Sequence, residues 1–258
     1  MTRTWSVIVV LGGFLVIWEA WVRIAGVPSY FLPPPSAIFL EIAQNPSWYM
    51  RHSAYTIGAC LLGFFMALIV GVLAAIGIVY SRFLENTLYT FLVSLNSIPK
   101  IALAPLFIIW MGTNLSSKVA ISMLIALFAI VIDTVLGLRS VDPEVLDMAK
   151  SMRARPLHVL WKIRFPSALP AMFAGMKVAI SLALVGAIAG EFVASSVGLG
   201  YVILTAQGMM QTTRVFAAIL LLGVMGTILF GLVDLMERLI CPWHVSHRLD
   251  TMMEAARG

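Results

Sequence analysis

Residues 55–80 read YTIGACLLGFFMALIVGVLAAIGIVY and contain no Asp, Glu, Lys or Arg. A helix needs about 20 mostly apolar residues to cross a hydrocarbon core roughly 30 Å thick. The stretch is therefore predicted to be a membrane-spanning helix. Small residues, which let helix backbones approach closely inside a bilayer, recur along it as Gly58, Gly63, Gly71 and Gly77.

The composition of the whole chain extends this prediction to a polytopic, all-α membrane protein. The 258 residues are 61% hydrophobic and 11% charged, whereas a water-soluble domain carries roughly 25% charged residues. The two cysteines, Cys60 and Cys241, form neither a disulfide framework nor a zinc-binding pattern. We interpret the net charge of +5 as a signal of membrane orientation rather than of nucleic-acid binding.

Six segments are apolar enough to span the membrane, and we predict a single transmembrane domain over residues 1–258. Residues 192–213 are uncharged but interrupted by glycines, so we predict a broken or surface-lying segment there. With the N-terminus inside, eleven Lys and Arg residues lie on the cytoplasmic side and four outside, as the positive-inside rule requires. Both termini are thus expected in the cytoplasm. The predicted spans are about 4–24, 55–80, 87–111, 118–138, 168–191 and 215–238.

The first external loop, residues 25–54, begins with a proline-rich stretch. Residues 37–43 have the pattern of an amphipathic turn or two on the membrane surface. We favour the simpler interpretation, a linker between the first span and the rest of the protein.

The longest polar stretch, RSVDPEVLDMAKSMRARPLHVLWKIRFPS, occupies residues 139–167 on the predicted cytoplasmic side. Asp142 followed by Pro143 is typical of a helix start. Pro156 is expected to begin a second short helix, which Pro166 and Pro170 would end. Two interpretations stay open: the pair is a docking platform for another protein, or it is a hairpin lying on the lipid headgroups.

The same stretch resembles a known family signature. Permeases of binding-protein-dependent ABC importers carry Glu-Ala-Ala, three residues, Gly, nine residues, then Ile-x-Leu-Pro. This chain has 147–149 as Asp-Met-Ala, then Arg153, then 163–166 as Ile-Arg-Phe-Pro, with the same spacing. The flanking segments SIPKIALAPLFIIWMG (97–112) and GEFVASSVGLGYVI (190–203) resemble the nitrate/sulfonate/taurine branch of that family.

The resemblance implies the type I ABC importer permease fold: six transmembrane helices with a cytoplasmic two-helix coupling loop, in the inner membrane of a bacterium. It further implies a permease homodimer, two copies of an ABC ATPase, and a periplasmic or lipid-anchored substrate-binding protein. Since the chain has no G-x-x-x-x-G-K-[ST] motif, it is not expected to be an enzyme, and ATP and Mg would bind to the partner ATPase.

The resemblance also assigns the residues that would dock the ATPase, with Asp147 pairing with a basic ATPase residue. Arg153 replaces the family glycine, and we expect the turn to shift to Ala154-Arg155, just before Pro156. The docking residues are Glu144, Asp147, Met148, Ala149, Met152, Arg153, Ala154 and Leu157.

Polar groups inside spans mark candidate pathway residues, because they are costly in lipid. Lys100 lies beside Pro99, where a broken helix is expected, and it could attract a small organic or inorganic anion; alternatively it snorkels or binds loosened carbonyls. Asn96 and Ser97 lie beside the same break and either line the cavity or satisfy carbonyls. Glu191 has either a gating or pathway role or is a plain interfacial carboxylate.

Two further charges are expected to be structural. Lys177 is predicted to snorkel towards the cytoplasmic interface. Asp133 is predicted to cap or pair locally, with Arg139 about a turn and a half away.

Two other protein classes compete with an importer subunit that works by alternating access. A self-sufficient secondary transporter or channel would need ion-coupling carboxylates at the bilayer midplane, and Asp and Glu occur only near the ends of the predicted spans. An intramembrane enzyme or metal site is disfavoured because the four histidines lie at or outside the predicted membrane surface.

Overall fold

The computed structural model describes residues 3–91, 94 and 98–243, and every regular element within these ranges is a helix. The first part of the chain forms α1 (Arg3–Ile24), α2 (Pro35–Gln44), α3 (Pro46–Tyr80) and α4 (Arg82–Leu84), followed by a π-helical turn at Glu85–Tyr89. A 3₁₀ turn at Lys100–Leu103 leads into α5 (Ala104–Met111). The remaining helices are α6 (Leu115–Arg139), α7 (Pro143–Ser151), α8 (Pro156–Val159), a π-helical turn at Leu160–Arg164, α9 (Phe165–Val193), α10 (Leu199–Gly208) and α11 (Thr212–Ile240).

Four helices of the described chain are long and apolar enough to cross a membrane. They are α3, α6, the continuous helix Pro156–Val193 and α11, and each contains one of the predicted spans. The predicted first span, 4–24, coincides with α1. The total of six spans stays a prediction.

The predicted span 87–111 is not one regular helix. Its described part passes from a π-helical turn to a 3₁₀ turn at Lys100–Leu103 and then to α5. Pro99 precedes the 3₁₀ turn and Pro105 lies in the first turn of α5. Pro99 caps the 3₁₀ turn, and Pro105 occupies a first-turn position whose N–H would be unpaired in any case. The two prolines therefore mark where the helical pieces begin.

The interpretation of residues 25–54 as a linker is wrong. Pro35 starts α2, where its fixed φ suits a first helical position, and Ile38 is buried on one face. The next helix, α3, already begins at Pro46. Residues 192–213 are broken as predicted, with α10 between the end of α9 and the start of α11.

The described chain folds into two compact units. One contains residues up to 57 together with 191–225, and the other contains 58–190 together with the described residues from 226 onward. Each unit has its own set of buried contacts.

Close backbone approach in the second unit centres on Ser122 of α6. A Cβ atom added to Gly63 of α3 would overlap the Ser122 side chain, and one added to Gly186 of α9 would lie 2.6 Å from the Ser122 Cα. The Ser122 hydroxyl donates a 2.8 Å hydrogen bond to the carbonyl of Ala183. The glycines therefore permit α3 and α9 to pack directly on α6, as small residues do in membrane bundles.

We expect Gly186→Ala to lower the free energy of unfolding by about 1–3 kcal/mol, because the added methyl group overpacks the contact with Ser122. Gly58→Ala is the matched control: Gly58 has nothing within 4 Å of an added Cβ, so the substitution gains helix propensity of up to about 1 kcal/mol. Thermal unfolding can be followed by a thiol-reactive dye, since Cys60 and Cys241 are both 0% exposed. Equal transition temperatures for the two variants would contradict the packing role.

Candidate functional site

The first helix of the polar loop, α7, begins as its sequence predicts. Pro143 occupies the first turn, and the Asp142 Oδ1 accepts a 3.0 Å hydrogen bond from the backbone N–H of Glu144. This cap satisfies one of the backbone donors that a helix start leaves unpaired.

The loop exposes a row of large apolar side chains: Val145, Met148, Met152, Leu157 and Trp161. Exposed fractions reach 73% at Met152. Asp147 is also exposed and forms a 2.7 Å ion pair with Lys150 one turn along α7. The surface therefore combines apolar contact area with an accessible carboxylate.

Seven of the eight predicted docking residues are exposed, and Ala149 is not. Ala149 is 4% exposed, so it belongs to the packing of the loop rather than to its surface. The seven exposed residues are Glu144, Asp147, Met148, Met152, Arg153, Ala154 and Leu157.

The predicted shift of the turn to Ala154-Arg155 is wrong, since Arg153 itself has a φ of 54°. The N–H of Ala154 donates to the carbonyl of Ala149 at 3.0 Å, and the N–H of Arg153 donates to that of Lys150 at 2.9 Å. These two bonds form a Schellman ending, in which a glycine usually holds the left-handed position. Arginine there costs on the order of 1 kcal/mol, and the two hydrogen bonds offset it.

The expected stop at Pro166 and Pro170 is also wrong. Helix α8 starts at Pro156, widens into the π-helical turn Leu160–Arg164 and continues without interruption as α9. A π-helical turn reroutes the backbone hydrogen bonds, which accommodates the missing N–H of Pro166. The Arg164 Nη1 donates to the carbonyl of Leu138 at 2.7 Å and fixes the turn against the end of α6.

Among the predicted pathway residues, Lys100 is partly buried in the 3₁₀ turn. Its ammonium group lies 5.3 Å from the centre of the Phe128 ring of α6, a cation–π contact. Asn96 and Ser97 lie outside the described residues.

Glu191 is the centre of a buried polar cluster in the first unit and is 1% exposed. Its Oε1 accepts a 2.8 Å hydrogen bond from the Thr56 hydroxyl, and its Oε2 accepts a 2.7 Å bond from the N–H of Gly200. The Thr56 Oγ1 in turn accepts from the N–H of Leu199 at 2.9 Å. A fully buried carboxylate does not fit the interpretation as a plain interfacial group.

The segment before α10 is shaped around this carboxylate. Gly198 has a φ of 118°, and a Cβ there would overlap the Glu191 carboxylate. The N–H of Gly198 donates to the Nδ1 of His52 at 3.0 Å, so this ring nitrogen carries no proton. Sequence reasoning missed the roles of His52 and Thr56. The available signal was a polar pair one turn apart at the start of the stretch 52–80, which contains no Asp, Glu, Lys or Arg.

Two charge assignments from the sequence are corrected. Arg139 pairs with Glu85 at 2.8 Å rather than with Asp133, and Asp133 lies against Gly175, where an added Cβ would come within 2.7 Å of the Asp133 Cβ. Lys177 does not snorkel: its Nζ lies 2.5 Å from carboxylate oxygens of both Asp234 and Glu237 in α11.

Comparison with known proteins places this geometry in context. The family model described as the binding-protein-dependent transport system inner membrane component matches residues 67–240. A probable ABC transporter permease of Haemophilus influenzae is 34% identical, covering 92% of this chain and 97% of the relative. A riboflavin transport permease of Chloroflexus aurantiacus is 36% identical, with 90% and 87% covered. A putative aliphatic sulfonates transport permease of Bacillus subtilis is 30% identical, with 90% and 85% covered.

A solved structure shares the fold. The inward-facing MetNI methionine ABC transporter aligns with a TM-score of 0.60 at 22% identity, covering 72% of this chain and 91% of the solved one.

We expect Thr56→Val, which keeps the shape of the side chain, to loosen the segment held by Glu191. The variant removes the donor to Glu191 and the acceptor for Leu199, each worth about 1–3 kcal/mol when buried. Amide hydrogen exchange of residues 199 and 200 should rise roughly tenfold or more, measured by mass spectrometry.

Thr205→Val is the control for this measurement, because the Thr205 hydroxyl bonds only to carbonyls of its own helix, α10. If both variants exchange at the same rate as the unmodified protein, the cluster does not hold the segment.

Proposed function

The chain belongs to the family of binding-protein-dependent transport system inner membrane components, and as the permease subunit of such an ABC importer we propose that it works as a homodimer driven by two copies of a separate ATPase. Permease subunits of this family are not catalytic. In this proposal ATP and Mg bind to the partner ATPase, and this chain supplies the translocation pathway.

The single observation that carries the docking proposal is the exposed face of residues 143–161. Large exposed apolar groups on a water-facing surface are typical of protein interfaces, and Met side chains adapt well to a partner's surface. The exposed carboxylates of Glu144 and Asp147 can pair with basic groups of a partner protein. We therefore favour the docking platform over the headgroup hairpin.

The continuity of the helix Pro156–Val193 supports a rigid mechanical link. We call residues 139–167 the docking loop. The first turns of this helix belong to the docking loop, and its remainder belongs to one of the four candidate spans. When ATP closes the ATPase dimer, a pull on the loop would move a membrane-spanning helix as one body. Alternating access needs such a helix, because movement of the ATPase has to be passed on to the membrane-spanning part of the permease.

For the topology we propose six spans in a bacterial inner membrane, with both termini in the cytoplasm. The four long apolar helices and the distribution of Lys and Arg support it. In this arrangement residues 139–167 face the cytoplasm, where the ATPase lies.

For the substrate we propose a small organic anion delivered by a periplasmic or lipid-anchored binding protein. Relatives of this chain are named for compounds as different as riboflavin and aliphatic sulfonates, so the family alone does not select one. The positive charge of Lys100, at a helix break inside a predicted span, supports an anion. Asn96 and Ser97 would line the pathway beside it.

For Glu191 we propose a gating role. The carboxylate holds the N-terminus of α10 to α3 through Thr56 and Gly200, and the segment it fixes ends a membrane-spanning helix. A movement of α9 would strain or release these bonds.

We expect Asp147→Lys to abolish copurification of the cognate ATPase while the permease stays in the membrane, because the exposed carboxylate is replaced by a like charge facing a basic partner. Deletion of residues 147–152 should have the same effect. Lys150→Ala is the control: it removes the ion pair of Asp147 but keeps the carboxylate, and the ATPase should still copurify. Retention of the ATPase by both Asp147→Lys and the deletion would refute the docking role.

We also expect a cysteine introduced at Arg155 to react with a membrane-impermeant maleimide in inverted vesicles and not in intact spheroplasts. Arg155 is exposed, and the two native cysteines are fully buried, so background labelling is low. Labelling from outside intact spheroplasts would place the loop on the wrong side of the membrane for an ATPase.

A further inference from the structure

The second unit contains a charge cluster formed by Lys177, Asp234, Glu237 and Arg238. Lys177 of α9 lies between two carboxylates of α11, with its Nζ 2.5 Å from the Asp234 Oδ1 and 2.5 Å from the Glu237 Oε2. Arg238 adds a 2.9 Å ion pair to the Asp234 Oδ2. Two positive and two negative charges meet, so the cluster is neutral as a whole.

Apart from these ion pairs, α11 packs on the rest of this unit through a narrow stripe of buried residues. Its buried residues recur every fourth position, as Leu229, Val233 and Glu237, and Cys241, directly after its end, continues the spacing. The residues between them are mostly exposed; Leu232, Leu235, Met236 and Leu239 exceed 50%.

Inside a bilayer, an apolar stripe of this kind holds α11 to its neighbouring helices only weakly. Lipid tails are as apolar as leucine, so apolar contact between helices is only weakly favoured there. An evenly spaced apolar stripe also permits one helix to slide along another. The ammonium group of Lys177, placed between two carboxylates one turn apart, has a single position along the axis of α11.

The position of Lys177 along its own helix connects this contact to the docking loop. The helix that carries it begins at Pro156 and runs unbroken to Val193. At about 1.5 Å per residue, Lys177 lies roughly 30 Å from the start of that helix. Between the loop and Lys177 this helix contains the π-helical turn Leu160–Arg164 and the interior Pro170, but it has no break. A displacement of the loop can therefore reach Lys177 through one continuous helix.

We propose that Lys177, Asp234 and Glu237 form a strut that transmits movement of the docking loop to α11. They are positioning residues and contact no substrate in this scheme. The inference rests on the proposed function, since it assumes that an ATPase moves the loop.

The test uses the permease with its cognate ATPase in lipid nanodiscs, with and without ATP plus vanadate. Spin labels at Lys162→Cys, in the loop, and at Leu239→Cys, near the end of α11, report copy-to-copy distances by pulsed electron paramagnetic resonance. Both positions are exposed, and the buried native cysteines stay unlabelled. In the otherwise unmodified protein, ATP and vanadate should change both distances.

In Lys177→Met we expect the distance change at 162 to persist and the change at 239 to be lost, whereas Lys177→Arg should keep both. The triple variant Lys177→Met, Asp234→Asn, Glu237→Gln removes the buried charges together. It should behave like Lys177→Met. If the cluster only compensated charge, this triple variant would instead recover the change at 239.

Arg139→Met is the matched control, because its ion pair to Glu85 joins neither α9 nor α11, and it should keep both distance changes. The strut is refuted if the change at 239 is absent in the unmodified protein, persists in Lys177→Met or recovers in the triple variant. Absence of any change at 162 would instead refute the proposed action of the ATPase, and the strut with it.

Discussion

Inside a bilayer, apolar helices gain little by leaving lipid for one another, so they need close backbone contact or polar bonds to stay together. In the second unit this requirement is met where Gly63 and Gly186 approach Ser122, whose hydroxyl reaches the backbone of α9. In the first unit it is met by Glu191, Thr56 and the N–H groups of the first two residues of α10. Both contacts depend on glycines, because a Cβ atom at Gly63, Gly186 or Gly198 would overlap the residue that it faces.

In the proposed topology residues 139–167 are surrounded by water, so different interactions hold them together. The first helix of this docking loop has an acidic cap at Asp142 and a Schellman ending at Arg153. These ends fix a helix of nine residues that would be marginal by itself. The apolar side chains that it exposes are costly in water unless a partner covers them. The same short helix, α7, thus contains both the caps that stabilise it and the side chains proposed to contact a partner.

Local patterns were sufficient to predict four of the apolar spans, the start of α7 and the break at residues 192–213. The failures share a physical cause, since they depend on partners distant in sequence. Nothing local shows that Lys177 meets Asp234 and Glu237, 57 and 60 residues later, or that Glu191 meets Thr56. Proline rules failed at Pro166 because a π-helical turn, which composition does not reveal, accommodates it.

The length of the unbroken helix Pro156–Val193 has a geometric consequence. Its 38 residues extend about 57 Å at roughly 1.5 Å per residue, nearly twice the roughly 30 Å of hydrocarbon that it has to cross. Under the proposed function, this surplus length sets how far from the bilayer surface the ATPase would bind. One residue inserted into the α-helical part of this helix would turn everything before it by about 100°, so the direction in which the loop points depends on the number of residues there.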